Sequence, residues 1–136
     1  MVCLAALPEG QLLSFREIAR RMDVPETFLA KILKILVARK LVASTRGAHG
    51  GYALTKPSRE ITFLDVIEAV EGPVGINTCQ QTAAHEACRM SRTCTMNGVW
   101  TRGQERMLDV YRGTTLDQLA MAELRPPVAL RSVAGA

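Results

Sequence analysis

The chain of 136 residues predicts a mainly α fold, a winged helix-turn-helix followed by a long helix towards the carboxyl end. Three observations predict it. Two amphipathic segments, "SFREIARRM" and "ETFLAKILKILVARKL", are separated only by a short break, the spacing of a helix-turn-helix. A glycine-bearing stretch, "VASTRGAHGGYALTKP", follows them with strand-like flanks, the pattern of a tight hairpin. Two further helical patterns lie beyond it, divided by a polar segment that carries three of the four cysteines.

Each element has a local reason. Residues 1–7 read as an apolar helix stopped by Pro8 and Gly10. Ser14 and Glu17 form a capping box, with Phe15, Ile18, Ala19 and Met22 as the apolar face behind it. After the break at "DVPE", the second helix is expected to turn Phe28, Leu29, Ile32, Leu33 and Leu36 inward. Residues 42–45 and 52–55 are the expected strands, and Gly47, Gly50 and Gly51 between them permit positive φ. "ITFLDVIEAVEG" is a helix with Thr62 and Asp65 as a second capping box and Gly72 as its stop. Residues 95–112 are helical again, with Val99, Trp100, Met107, Leu108 and Tyr111 as the large apolar side chains, and "TTLDQLA" adds a last turn. The expected organisation is a winged domain over 1–73, a cysteine-bearing loop over 74–94, a helix over 95–120 and a flexible tail over 121–136.

Composition narrows the function. A 48% hydrophobic content supports a packed core. No uncharged apolar run approaches the roughly 20 residues that span a bilayer, and no secretory leader opens the chain, so a cytoplasmic protein without a membrane partner is expected. Residues 1–59 hold ten Lys/Arg against four Asp/Glu, whereas residues 60–136 hold seven against nine. Positive charge concentrated in the winged half suits an anionic partner, with nucleic acid first. There is no C-x-x-C pair and there are only two histidines, which argues against a thiol oxidoreductase or another enzyme.

In a winged helix-turn-helix the second helix enters the major groove by its N-terminal residues. Those are Pro25, Glu26, Thr27, Ala30 and Lys31. Thr27 can bond a base edge or touch a thymine methyl, and Lys31 can reach guanine or phosphate. Glu26 can accept from cytosine or favour the positive helix end. Arg46, Gly47, His49 and Gly50 form the hairpin tip, and an arginine there suits a narrow minor groove. Arg16, Arg20, Arg21, Lys34, Arg39 and Lys56 are assigned to phosphates.

The stretch "RGAHGGYAL", residues 46–54, resembles the wing of the Rrf2 family of bacterial transcription regulators, which reads much like R-G-x-x-G-G-Y-x-L. "FLAKILKIL" resembles that family's recognition helix, "ITFLDVIEAVEGP" its next helix, and "TTLDQLA" the end of its dimerisation helix. The resemblance implies a homodimer on a partly palindromic double-stranded DNA operator, its recognition helices roughly 34 Å apart. It also implies a repressor, and a chain that begins well inside the family's first helix. Many members hold an iron–sulfur cluster, [2Fe–2S] or [4Fe–4S], with three cysteines before the dimerisation helix. Cys79, Cys88 and Cys94 stand in that place, spaced C-x8-C-x5-C.

Thiolates suit iron–sulfur iron or zinc, and the loops between these three allow convergence on one centre. A fourth ligand is not specified. One branch of the family has a histidine where this chain has Asn97. His85, Glu86, an acidic residue of a partner subunit or an exogenous ligand are the other candidates. A Cys3His zinc site using His85 and redox-active or inert thiols are the alternatives to a cluster. A stable disulfide is disfavoured in a reducing compartment. Cys3, on the apolar face of the first helix, reads as a buried structural thiol.

Overall fold

A computed structural model describes residues 1–47, 49–77, 80, 90 and 93–123. The elements in chain order are α1 (Val2–Ala5), α2 (Phe15–Met22), α3 (Glu26–Ala38), β1 (Val42–Thr45), β2 (Gly51–Leu54), a 3-10 turn (Ser58–Glu60), α4 (Phe63–Glu71), α5 (Asn97–Gly113) and α6 (Leu116–Glu123). This is the winged helix-turn-helix that the pattern predicts, followed by a long helix.

Both capping boxes form. Glu17 N–H donates to Ser14 Oγ at 3.3 Å, and Glu17 Oε2 accepts from Ser14 N–H at 3.1 Å. Asp65 N–H donates to Thr62 Oγ1 at 3.1 Å, and Asp65 Oδ2 accepts from Thr62 N–H at 2.8 Å. These reciprocal bonds satisfy helix-end donors that would otherwise need water. α2 and α3 both close through left-handed residues other than glycine, Asp23 (φ 49°) and Lys40 (φ 58°). At the first, Val24 N–H returns to the Ala19 carbonyl; at the second, Leu41 N–H returns to Leu36. This closure satisfies orphan carbonyls and turns the chain sharply.

The strands pair antiparallel from Val42↔Leu54 to Thr45↔Gly51. The second strand therefore begins at Gly51 rather than at Tyr52. Leu13 and Tyr52 exchange both backbone hydrogen bonds, at 3.0 and 2.9 Å, so the segment before α2 adds an isolated antiparallel bridge to β2. Of the three wing glycines only Gly47 has positive φ (121°). Gly50 and Gly51 serve close approach instead. A Cβ on Gly50 would lie 2.3 Å from the Thr45 carbonyl oxygen, and one on Gly51 would lie 2.6 Å from that of Leu13.

The core joins Cys3 and Leu4 of α1, Leu13, Ile18, Ala19, Leu29, Leu33, Leu36 and Val42. The expected inward sets of α2 and α3 each need one correction. Met22 is 38% exposed and Phe28 is 55% exposed. The core direction of α3 is set by Leu29, Leu33 and Leu36, and Phe28 stands one helical step, about 100°, away from Leu29.

The helix expected to run to residue 120 is broken. α5 stops at Gly113, Thr114 is extended, and α6 restarts at Leu116. The break has a physical cause: Phe63 N–H donates to the Thr114 carbonyl at 2.8 Å, and Leu116 N–H donates to the Ile61 carbonyl at 2.9 Å. Leu116 is then buried beside Ile61, each 1% exposed, and α6 packs on α1 and the 3-10 turn. The expected flexible tail lies outside the described residues beyond 123, but its first residues belong to α6.

Candidate nucleic-acid interface and cysteine segment

The first turns of α3 present the side chains named from the sequence. Pro25, Glu26, Thr27, Ala30 and Lys31 are all exposed, and Lys34 continues the same outer stripe. Pro25 precedes the helix with no side-chain cap, its carbonyl accepting from Phe28 and Leu29. Thr27, Lys31 and Lys34 follow one another at helical spacing, so they can meet one surface together.

At the wing tip Arg46, Gly47 and His49 are exposed and Gly50 is half-buried. Gly50 N–H donates to the Gly47 carbonyl at 2.9 Å, which shapes the bend that projects Arg46 and His49. The base of the wing is fastened to the turn that follows α3, since Thr55 Oγ1 donates to the Lys40 carbonyl and Thr55 N–H to that of Leu41. The wing is thereby tied to the carboxyl end of the helix-turn-helix.

Charge reinforces this face. Arg16, Arg20, Arg21, Lys31, Lys34, Arg39, Arg46 and Lys56 are exposed. Among the described residues the ion pairs engage the guanidinium groups of Arg59 and Arg112 only. Among the described residues the basic side chains of α2, α3 and the wing form no ion pair, although Glu17 feels the charges of Arg21 and Arg20, and such a set suits phosphate contacts. Glu17, within this region, is held below the usual carboxylate range, first by the Ser14 hydroxyl and then by the Ser14 N–H, with Arg21 and Arg20 adding to the effect.

Of the three clustered cysteines, Cys79 and Cys88 lie outside the described residues, as do His85 and Glu86. Cys94 is half-buried in the turn that leads into α5, and its carbonyl accepts from Asn97 N–H at 3.3 Å. Asn97 is the first residue of α5, and its Oδ1 accepts from Gln80 Nε2 at 3.3 Å. A second tie nearby runs from Ile76 N–H to Gln104 Oε1 at 3.1 Å. Neither tie was legible in the sequence, because polar pairs 17 and 28 residues apart leave no periodic signal. Cys3, by contrast, is buried in the core as expected, 6% exposed.

α5 itself carries no buried residue along its 17 positions. It touches α4, and Tyr111 meets Phe63 edge to face with ring centroids 5.0 Å apart. Val99 and Val110 remain 59% and 64% exposed.

A sequence profile described as "Rrf2: Iron-dependent Transcriptional regulator" matches residues 1–122. The chain belongs to the Rrf2 family. Members of this family are DNA-binding transcriptional regulators rather than enzymes. The chain is 35% identical to Protein aau3 of Rhizobium meliloti over 129 residues, covering 94% of this chain and 80% of that one. The global cysteine regulator CymR of B. subtilis has a similar structure, with a TM-score of 0.72 and 27% identity over 89% of this chain and 87% of that one. T. potens IscR is similar too, with a TM-score of 0.70 and 26% identity over 93% and 83% of the two chains. No helix among the described residues is long and apolar enough to cross a membrane.

Proposed function

We propose that this Rrf2 regulator is a cytoplasmic homodimeric repressor whose operator affinity is set by an iron–sulfur cluster held by Cys79, Cys88 and Cys94. The observation that carries the reading is α5. A 17-residue helix without a buried position follows directly on the cysteine-bearing segment. An amphipathic helix gains most of its stability from packing its apolar face, and a second copy of α5 would supply that packing.

The chemistry of the three thiols supports the cluster reading. Three thiols are soft ligands for iron, and the family profile is iron-dependent by description. Gln80 directly follows Cys79 in the chain, and its side chain is bonded to Asn97, three residues beyond Cys94. Asn97, whose oxygen accepts from Gln80, offers only a weak amide ligand, and the candidates for the fourth ligand are His85, Glu86, an acidic residue of the partner subunit or an exogenous group. When bound, the cluster supplies a centre whose oxidation, nitrosylation or loss reports redox state, nitric oxide or iron supply.

The protein's own residues carry the signal. The turn at Cys94 is bonded to the first residue of α5, and the far end of that helix is clasped to the winged domain by Tyr111 on Phe63 and by Thr114 and Leu116 on residues 61–63. A change at the cysteine end therefore acts through a stiff helix on the separation of two recognition helices, about 34 Å apart on an operator. That is a two-state element biased by a ligand. On DNA, Pro25, Glu26, Thr27, Ala30 and Lys31 face the major groove, while Arg46, Gly47, His49 and Gly50 form the minor-groove element.

Anaerobic purification followed by iron, sulfide and zinc analysis tests the cluster. Iron and sulfide in equal amounts are expected. Stoichiometric zinc would replace the cluster by a structural zinc site; metal-free protein would leave redox-active thiols if operator binding changes with redox condition, and inert thiols in a non-sensing regulator if it does not. Operator binding should weaken steeply with salt, by about 0.9 log units per log unit for each phosphate neutralised. Arg46→Ala should weaken it at every salt concentration.

A further inference from the structure

Phe28 is an aromatic side chain left 55% exposed in the first turn of α3. It takes no part in the core that Phe15, Val24, Ile32 and Val37 pack against. Its sequence neighbour Thr27 is exposed, and so is Lys31 three residues on, which places the ring beside the basic stripe. The N-terminal turn of the second helix of this motif is the part that meets base edges. A bare phenyl ring has no donor or acceptor for a base edge, so its selectivity can come only from apolar contact. The apolar feature of the major groove is the C5-methyl group of thymine.

We infer that Phe28 is a specificity-determining residue that reads a thymine by packing its ring against the C5-methyl group in the major groove. Ala30 lies nearby on the exposed side of the same helix and is too small to exclude the base from the ring. Thr27 and Lys31 supply the polar contacts around it. Removing water from one methyl group on binding corresponds to about fourfold in affinity. This inference rests on the family's DNA-binding role and is independent of the cluster.

The test uses the full chain as purified. A duplex is selected from a randomised library with the wild-type protein, and each thymine in it is replaced singly by deoxyuridine, which deletes the methyl and nothing else. Wild type should lose about fourfold at one thymine in each half-site. Phe28→Ala should bind the thymine and deoxyuridine duplexes equally, and Phe28→Leu should keep part of the preference. Because the ring is exposed, Phe28→Ala should unfold at the wild-type temperature, and this is measured alongside. Equal wild-type binding to every deoxyuridine duplex overturns the inference. So does an unchanged deoxyuridine penalty in Phe28→Ala. A general loss of affinity without methyl discrimination assigns Phe28 to the sugar-phosphate backbone instead. Enrichment of no duplex at all would overturn the inference together with the DNA-binding role beneath it.

Discussion

Gln80 donates its side-chain amide to Asn97 Oδ1 across 3.3 Å, so the residue after Cys79 is tied to the residue three beyond Cys94. Bringing two ends of a loop together lowers the entropy that ligands on them must lose on converging. A hydrogen bond of this kind contributes about 1 kcal/mol, or roughly fivefold in affinity. Asn97→Ala and Gln80→Ala should each retain iron less well by about that factor, and the double variant should lose little more than either alone. Asn97→Asp keeps an acceptor for Gln80 and should retain more iron than Asn97→Ala. The iron-to-protein ratio after dialysis against a chelator measures all four.

The wing is sensitive to single methyl groups. Gly50→Ala would place a Cβ 2.3 Å from the Thr45 carbonyl oxygen, a backbone atom that cannot swing away. Overpacking of this sort costs about 1–3 kcal/mol. Urea denaturation should show that loss, and operator affinity should fall with it because Arg46 is displaced. Gly47→Ala meets no atom within 4 Å but adopts φ 121°, so its cost is conformational.

The α2 capping box predicts a pH dependence with a definite sign. Hydrogen bonds from Ser14 hold Glu17 below its ordinary range in the folded chain. A depressed carboxylate stabilises the fold above its unfolded value, and that contribution is lost as pH falls through the folded value. Thermal stability of the wild type should therefore decline more steeply on acidification through the carboxylate range than that of Glu17→Gln. The two melting curves should converge at low pH. Ser14→Ala should cost about 1 kcal/mol at neutral pH.

Leu116 anchors α6 to the winged domain through burial and through its N–H on Ile61. Leu116→Ala should destabilise by about 2–5 kcal/mol. Hydrogen exchange in this variant should rise first in α6 and at residues 61–63. Equal protection there in wild type and variant would show that α6 docks without this anchor.

Much of the winged domain was legible because its signals are local. A capping box spans three residues, a helical stripe repeats within one turn, and both appear at Ser14, Thr62, Leu29, Leu33 and Leu36 as read. The exposure of the residues proposed to read DNA, in the first turns of α3 and at the wing tip, was legible for the same reason. The wing glycines were recognised as necessary, yet two of the three serve close backbone approach rather than positive φ. That distinction depends on Leu13 and Thr45, which the hairpin pattern does not include.

What the chain's order of residues determined was therefore which segments form helices and strands, which charges lie together, and which family the protein resembles. Tertiary structure decided the rest. Periodicity cannot choose between Phe28 and its neighbours at the margin of a helix face, because the core direction is set by the helices packed against it. Nor can it foresee that residues 61–63 would pair with Thr114 and Leu116, ending α5 and returning α6 to the core. The tie between Gln80 and Asn97 is of the same kind. Each arises from backbone or polar partners far apart in sequence, whose meeting is favourable only once hydrophobic burial has brought their elements together.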